Sequence, residues 1–264
     1  MKRALTIAGS DCSGGAGIQA DLKTFTVFKV YGMSVVTALT AQNTRGVAGT
    51  HAVPAAFVRA QIDTVMSDIG CDAAKTGMLG TAEIVSTVAR AVRDCRIAPL
   101  VVDPVMTAQS GAALLNADAR DALLCELLPL ATLVTPNIPE AQALTGIPIA
   151  SVADMRAAAR ALIARGARAC LVKGGHLEGL QAVDVFDDGR TLRELVSPRL
   201  DTPHTHGTGC QLSAAITANL ALGSSLPEAI ERAKRFITVA IRHGLALGGG
   251  SGPANPLAWL DEKG

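Results

Sequence analysis

Short apolar runs alternate with longer segments of helical periodicity along the chain, and this alternation predicts a parallel β-sheet with helices on its faces. The runs are almost continuously apolar, which is typical of strands that are buried on both sides. They cover residues 4–8, 34–39, 73–76, 100–102, 133–135 and 169–173. Residues 184–186 and 192–195 flank the turn sequence DDGR and predict an antiparallel hairpin at one edge of the sheet.

Several helices are marked by their apolar face or by their ends. Apolar side chains recur at helical spacing through residues 84–92. Ser151 and Asp154 have the spacing of a capping box, and Gly166 is placed to end the helix that follows them. Residues 225–228 (SLPE) combine a cap, an early proline and an acid at the start of another helix. Together with the strands, these signals favour the α/β class.

The composition is that of a globular protein and not that of a polyanion binder. Hydrophobic residues make up 49% and charged residues 18%, which is too apolar for disorder. The formal net charge is +1 and no basic run occurs, so counterion release offers little drive for nucleic-acid binding. No linker, repeat or low-complexity segment divides the chain, and we expect residues 1–264 to form a single domain.

Cysteine usage and the apolar stretches predict a cytoplasmic protein without a membrane span. The six cysteines are dispersed and form no C-x-x-C pair, which is typical of reduced thiols. The apolar N-terminal stretch breaks at Gly9, too early for a signal peptide. The longest charge-free stretch, residues 207–227, contains many polar side chains and would span a bilayer poorly.

A glycine-rich loop, residues 9–21, follows the first predicted strand. Residues 15–20 match the spacing of a dinucleotide fingerprint, but no acidic residue lies between Asp21 and Asp63 to hold a ribose. The dipeptide Gly-Lys is absent from the chain, which excludes a Walker A loop. Two interpretations stay open: a tight strand-to-helix turn, and a loop whose backbone groups bind a small polar ligand.

A second glycine loop, residues 204–210 (HTHGTGC), precedes a helical run over residues 211–222. Amides at a helix start suit an anion, and the helix dipole is expected to lower the pKa of the Cys210 thiol. Three interpretations compete here. Cys210 is a buried structural residue, or it joins His204 and His206 in a zinc site, or the loop binds phosphate while Cys210 accepts a proton from the attacking hydroxyl.

Polar side chains follow three further predicted strands. Asp103, the segment at 137–140 (NIPE) and Lys173 each come directly after an apolar run. Ligands of open parallel sheets bind outside the carboxyl ends of the strands. A carboxylate there can hold Mg²⁺ and a lysine can neutralise phosphate oxygens. Together with the two loops, these residues predict phosphoryl transfer without a P-loop.

The order of these segments resembles that of a known family. The segments cover residues 9–23 (GSDCSGGAGIQADLK), 41–46 (AQNTRG), 75–79 (KTGML), 103–106 (DPVM), 135–141 (TPNIPEA), 173–177 (KGGHL) and 205–210 (THGTGC). The chain resembles the hydroxymethylpyrimidine/phosphomethylpyrimidine kinases of thiamine biosynthesis, which are ribokinase-like enzymes. The resemblance implies a three-layer α/β/α fold with a mainly parallel central sheet and an antiparallel edge hairpin.

The resemblance also implies an activity and a set of site residues. Family members use ATP and Mg²⁺ to phosphorylate 4-amino-5-hydroxymethyl-2-methylpyrimidine and then its monophosphate, and relatives are commonly homodimers. On the substrate side the resemblance implies that Gln42 binds the aminopyrimidine edge and that Gly9, Asp21 and Met78 line the pyrimidine pocket. For phosphoryl transfer the resemblance implies that Gly207, Thr208 and Gly209 form an anion hole and that Cys210 is the base. It also implies that Asn137 and Glu140 are associated with Mg²⁺. Asp103 and Lys173 would lie on the ATP side.

Two positions depart from the family's sequence pattern, and three other functions stay open. Residues 108–111 read AQSG where the family often reads AKSG, so Gln109 would remove a lysine contact to phosphate, and His204 replaces a frequent Asn. The nearest rival is a pyridoxine- or pyridoxal-type vitamin kinase. A covalent catalyst built on Cys210 and His206 would need no ATP, and a pyrimidine-binding regulator would need neither Glu140 nor Lys173.

Overall fold

One β-sheet organises the computed structural model, which describes residues 1–107, 111, 114 and 116–262. Within these residues the strands are β1 (Arg3–Asp11), β2 (Tyr31–Asn43), β3 (Gly46–Ala52), β4 (Ala73–Thr76), β5 (Leu100–Val102), β6 (Leu133–Val134), β7 (Cys170–Val172), β8 (Gln181–Asp187) and β9 (Leu192–Pro198). Their order across the sheet is β3-β2-β1-β4-β5-β6-β7-β8-β9. Strands β2, β1, β4, β5, β6 and β7 pair in parallel, and β3, β8 and β9 are antiparallel to their neighbours. The predicted parallel sheet and edge hairpin are confirmed.

Eight α-helices lie in the described part of the chain. They are α1 (Gly17–Val27), α2 (Ala55–Asp68), α3 (Ala82–Asp94), α4 (Ala117–Ala122), α5 (Ile138–Thr145), α6 (Val152–Ala164), α7 (Thr208–Ala221) and α8 (Leu226–Arg242). A π-helical turn (Leu123–Leu127) and two 3₁₀ turns (Leu128–Leu130 and Pro256–Leu260) complete the helical structure. The predicted capping box at Ser151 and the predicted helix start at Ser225 are both formed, and Gly166 adopts a positive φ of 111° just after α6.

The helices pack on both faces of the sheet, which gives three layers. Alternate strand residues point to opposite faces, so Leu5 and Ile7 belong to one core while Ala4 belongs to the other. Helices α2 to α6 cover the first face. Helices α1, α7 and α8 cover the second. The α/β/α architecture expected from the sequence is therefore confirmed.

The strand predictions differ from the structure mainly in length and at one edge. Strands β4 and β5 have the predicted bounds, whereas β1 and β2 extend into polar residues, because Ser10 and Asp11 still pair with Leu39 and Thr40. Strand β3 was not predicted, since it carries few large apolar residues and most of it is exposed. The longer strands and β3 form because their backbones are hydrogen-bonded to a neighbouring strand, and the pattern of apolar residues does not predict such bonds.

Among the described residues, no helix combines the length and apolar character that crossing a bilayer requires.

Loss of the α6 cap is expected to destabilise the protein measurably. The Ser151 hydroxyl accepts the Asp154 N–H, and the Asp154 carboxylate accepts the Ser151 N–H at 2.9 Å. The substitution Ser151→Ala leaves one first-turn amide without its acceptor, and we expect Tm to fall by about 2 to 4 °C in a calorimetric scan. Ser151→Asn retains a capping oxygen and is the control. Equal Tm values for the two variants would contradict the capping interpretation.

Candidate functional site

A cavity of about 670 Å³ opens at the carboxyl ends of the parallel strands. All twelve residues to which the family resemblance assigns a substrate, phosphoryl, metal or ATP role line it: Gly9, Asp21, Gln42, Met78, Asp103, Asn137, Glu140, Lys173, Gly207, Thr208, Gly209 and Cys210. Parallel strands end at one rim of the sheet, so residues that are far apart in the chain converge there. Gln109, the departure noted in the sequence, lies outside the described residues.

The first glycine loop is folded around the carboxylate of Asp11. This carboxylate accepts the N–H groups of Ser13 and Ala16, both at 2.9 Å. Gly17 has a φ of 58°, and a Cβ at this position would collide with the carbonyl of Gly9. The interpretation as a tight turn is therefore confirmed. The loop also lines the cavity, and ligand binding by its backbone groups stays a prediction.

A histidine of the second loop is bonded to the first loop. His206 is 6% exposed, and its Nε2 lies 3.0 Å from an Asp11 oxygen and 3.5 Å from the amide nitrogen of Gln42. Burial alone would raise the pKa of Asp11, but the hydrogen bonds from His206, Ser13 and Ala16 outweigh burial and lower it to about 2. An ionised Asp11 therefore holds the two loops together at neutral pH.

Gln42 stands at the end of β2, where it faces one end of the cavity. Its side-chain oxygen accepts a hydrogen bond from Thr40 at 3.0 Å, and its backbone contacts the Cys12 sulfur. A Cβ at Gly9 would lie 3.0 Å from the Met78 sulfur, so the glycine leaves room for that side chain. The cavity lining thus combines the Gln42 amide with the apolar Met78 side chain, which suits a polar heterocycle.

Asp21 is fully buried, and it is bonded to a lysine that the sequence analysis left without a role. The Asp21 carboxylate accepts Lys75 Nζ at 2.7 Å and the Thr6 hydroxyl at 2.6 Å. Lys75 is also fully buried, and its Nζ lies 3.4 Å from the Cys210 carbonyl oxygen. Burial opposes the charge of Lys75, but the attraction of Asp21 and of other acidic groups outweighs burial and raises the pKa of Lys75. A lysine inside an apolar strand (AAKT) was the available signal for this residue.

The second glycine loop forms the N-terminus of α7. Gly207 has a φ of 77° and caps the helix, and a Cβ there would collide with the carbonyl of Gly15. The loop can approach the first loop this closely only because residue 207 is glycine. The N–H groups of Gly209 and Cys210 have no acceptor within their own helix, whereas the Thr208 N–H donates to the Thr205 carbonyl at 3.3 Å. First-turn amides without a helical acceptor are the arrangement that binds anions.

The structure corrects one expectation for Cys210. Burial raises the pKa of this thiol to about 11, and Lys75 and the Gly17 N–H oppose that rise only in part. The helix dipole amounts to about half a charge and is outweighed by the loss of hydration. The expected lowering of the Cys210 pKa is therefore wrong for the protein without ligands.

A second lysine–aspartate pair lies beside the anion loop. Lys173 Nζ is 2.9 Å from Asp103, which also accepts hydrogen bonds from Thr135 and Ser213 at 3.1 Å each. Burial opposes the charge of Asp103, but Lys173 and Lys75 outweigh burial and lower the pKa of Asp103. A Cβ at Gly209 would lie 3.3 Å from Lys173 Nζ, so this ammonium group borders the loop.

Asn137 and Glu140 form a capping box at the start of α5. The Glu140 carboxylate accepts the Asn137 N–H at 2.7 Å, and the Asn137 side chain accepts the Glu140 N–H at 2.9 Å. Burial raises the pKa of Glu140 to about 7, against the attraction of Lys173. Lys173 is already paired with Asp103, and its attraction offsets the effect of burial on Glu140 only in part.

The zinc alternative for the second loop finds no support. Over residues 1–107, 111, 114 and 116–262, no three or more His, Cys, Asp or Glu side chains are arranged to hold a metal ion. The Nε2 atom of His206 is instead directed to Asp11.

Known proteins are similar to this chain in sequence and in fold. A family model described as "Phosphomethylpyrimidine kinase" matches residues 11–255. The chain is 50% identical to the hydroxymethylpyrimidine/phosphomethylpyrimidine kinase of Haemophilus influenzae over 98% of both chains. It is 55% identical to the thiamine biosynthesis bifunctional protein ThiED of Geobacter sulfurreducens over 95% of this chain and 51% of that protein, so it spans about half of that relative. The ADP complex of Bacillus subtilis pyridoxal kinase has a TM-score of 0.92 and 43% identity over 98% of both chains, which confirms the ribokinase-like fold.

Removal of His206 is expected to raise the pKa of Asp11. In His206→Ala the carboxylate loses one donor, so its pKa moves from about 2 towards the ordinary value of about 4. A depressed carboxylate pKa adds stability that is present above the unfolded-state value and is lost as the pH falls towards about 2. The variant has less of this contribution and loses it at higher pH. Carboxyl-carbon NMR titration measures the pKa, His243→Ala (an exposed histidine) is the control, and an unchanged Asp11 value would refute the link.

Proposed function

The chain belongs to the phosphomethylpyrimidine kinase family, and we propose that it transfers phosphate from ATP to 4-amino-5-hydroxymethyl-2-methylpyrimidine and then to the monophosphate, in thiamine biosynthesis. One observation carries the proposal. A single cavity joins a heterocycle-sized end at Gln42 to an anion-binding helix start that carries Cys210 and borders Lys173. Such a cavity can hold an alcohol and a phosphoryl donor side by side.

The pyrimidine is assigned to the end formed by Gly9, Gln42 and Met78. The primary amide of Gln42 offers both a donor and an acceptor, which matches the amino group and ring nitrogen of an aminopyrimidine. Because His206 lies 3.5 Å from this amide and 3.0 Å from Asp11, substrate recognition is connected to the loop that receives the phosphoryl group. Positioning of the hydroxymethyl group then follows from the same contacts.

The phosphoryl group is assigned to the amides of Gly207, Thr208 and Gly209. Phosphoryl transfer depends on positioning and on stabilising charge, and preorganised amides at a helix start supply both. Lys173 borders these amides and neutralises phosphate oxygens on the ATP side, while Asp103 holds the lysine in place. The near-zero net charge of the chain is therefore sufficient, because the anion is bound by local groups.

Cys210 is assigned as the proton acceptor. The substrate hydroxyl oxygen forms a bond to the γ-phosphorus, the bond from that phosphorus to the bridging oxygen breaks, and ADP leaves. The hydroxyl proton goes to the Cys210 sulfur, which must therefore be a thiolate when transfer begins. Buried Lys75 favours the thiolate, and with Lys75 in place the Cys210 pKa is still about 11 in the protein without ligands, because burial outweighs the lysine.

Asn137 and Glu140 are assigned to Mg²⁺. Both residues line the cavity, and a divalent cation there would favour the ionised form of Glu140, whose pKa burial raises to about 7. Since the described residues contain no cluster of metal-ligating side chains, we propose that Mg²⁺ is bound chiefly through water and the substrate phosphates. Magnesium then supplies charge neutralisation on those phosphates. A cytoplasmic homodimer formed by a single kinase domain completes the proposal by family resemblance.

A pyridoxal-type kinase is the second candidate, because a pyridoxal kinase shares the fold over 98% of both chains. We expect ATP and the aminopyrimidine alcohol to give the monophosphate and then the diphosphate, each identified by product mass. In Gln42→Leu the KM for the pyrimidine should rise about ten-fold or more, because the pyrimidine loses its hydrogen bonds to the Gln42 amide, while the KM for ATP changes little. ADP release with pyridoxal and none with the pyrimidine would favour the second candidate.

Replacement of Cys210 is expected to reduce turnover. Without an acceptor for the hydroxyl proton, Cys210→Ala should lower kcat by about 10² to 10⁴ while the pyrimidine KM changes little. Cys125→Ala, at an exposed cysteine on the opposite helix layer, is the matched control. Turnover close to that of the unmodified chain in Cys210→Ala would show that another group accepts the proton.

A further inference from the structure

The buried surroundings of Cys210 contain more charge than a structural role requires. Asp21 comes from α1, Lys75 from β4 and Cys210 from the first turn of α7, and the three meet behind the anion loop. Both members of the Asp21–Lys75 pair have 0% exposed side chains. Removing two charges from water is costly, and well-packed apolar residues of similar size often serve stability as well or better.

The geometry of the pair suits action on the neighbouring thiol. Lys75 Nζ lies 2.7 Å from Asp21 and 3.4 Å from the carbonyl oxygen of Cys210 itself. The Thr6 hydroxyl donates to the second Asp21 oxygen, which fixes the carboxylate. The ammonium group is therefore held against the helix turn that carries the sulfur.

Two further charged groups face the same sulfur. Asp103, after β5, and Lys173, after β7, both interact electrostatically with Cys210. They form their own ion pair at 2.9 Å, so their opposite effects on the thiol partly cancel. Lys75 and Asp21 are the first two charged side chains that act on the Cys210 thiol, one favouring the thiolate and one opposing it.

We propose that the buried Asp21–Lys75 pair sets how readily the Cys210 thiol loses its proton. Lys75 is the positive counter-ion that stabilises the thiolate, and Asp21 is the partner that weakens this effect. Lys75 is thus a positioning residue that acts through Cys210, and the proton of the thiol passes to water when the thiolate forms. The inference rests on the proposed role of Cys210 as proton acceptor.

A purely structural ion pair would tie α1 to β4 and would leave the thiol unaffected. The proposal makes a different prediction, because the two substitutions act in opposite directions. Lys75→Met removes a positive charge and should raise the Cys210 pKa, whereas Asp21→Asn removes a negative charge and should lower it. The double variant removes both charges and should lie between the single variants.

The test measures the rate at which iodoacetamide modifies Cys210, followed at the Cys210 peptide by mass spectrometry without ATP or substrate. Cys210 lines the cavity and is partly exposed, so the reagent can reach it. A pKa shift of about 2 units changes the thiolate fraction about 100-fold, and the opposing change in nucleophilicity leaves a rate change of about ten-fold. At pH 8 we expect modification to be about ten-fold slower in Lys75→Met and about ten-fold faster in Asp21→Asn.

A second ion pair provides the matched control. Lys234 lies 2.6 Å from Asp184 at another wall of the cavity, and neither residue is among the groups that act most strongly on the Cys210 thiol. Lys234→Met should therefore leave the modification rate unchanged. If Lys75→Met does not fold, Asp21→Asn and the double variant still test the sign and the cancellation.

Unchanged rates in both single variants, or shifts in the same direction, would overturn the proposal. The measurement requires no turnover, so its failure is distinct from a failure of the proposed function. If Cys210→Ala kept full kinase activity while the opposite shifts were observed, the base assignment would be wrong and the charge coupling would stand.

Discussion

The packing of the α7 N-terminus against the rim of the parallel sheet is the interaction on which the rest of the site depends. This contact brings Cys210 onto the buried Lys75–Asp21 pair and Gly209 beside the partly buried Lys173–Asp103 pair. It also brings the Gly207 turn against the first glycine loop. Charged groups are tolerated there because each lysine has a carboxylate within 3 Å, and each of these carboxylates also accepts a hydrogen bond from a hydroxyl group. A polar interior therefore exists inside a largely apolar protein.

This arrangement divides the cavity into two chemically different ends. At one end Gln42 and Met78 offer an amide and an apolar wall, while at the other the helix amides and Lys173 attract an anion. His206 connects them, because it contacts the glycine loop through Asp11 and lies in the loop that leads into α7. The fold thus places substrate recognition and phosphoryl binding on loops that are bonded to each other.

The charge state of the Cys210 thiol shows why local rules were insufficient. A helix start lowers the pKa of an exposed thiol, and the sequence alone indicates such a start. In the folded chain, loss of hydration outweighs the dipole and raises that pKa to about 11. Whether the thiolate is accessible then depends on Lys75, a residue separated from Cys210 by more than half of the chain.

The amino-acid sequence by itself determined the parallel sheet with helices on its faces, the bounds of β4 and β5 and the helix starts at Ser151 and Ser225, because these follow from local periodicity and cap chemistry. Recurring motifs indicated the three-layer fold and the residues that line the cavity. The alternation of side chains even places Lys75 on the same face as Ala73. Only the tertiary structure decided that Lys75 pairs with Asp21, that His206 bonds to Asp11 and that β3 forms an edge strand. These outcomes depend on which polar groups meet after the chain is packed, since burial and pairing energies arise between residues that are distant in sequence.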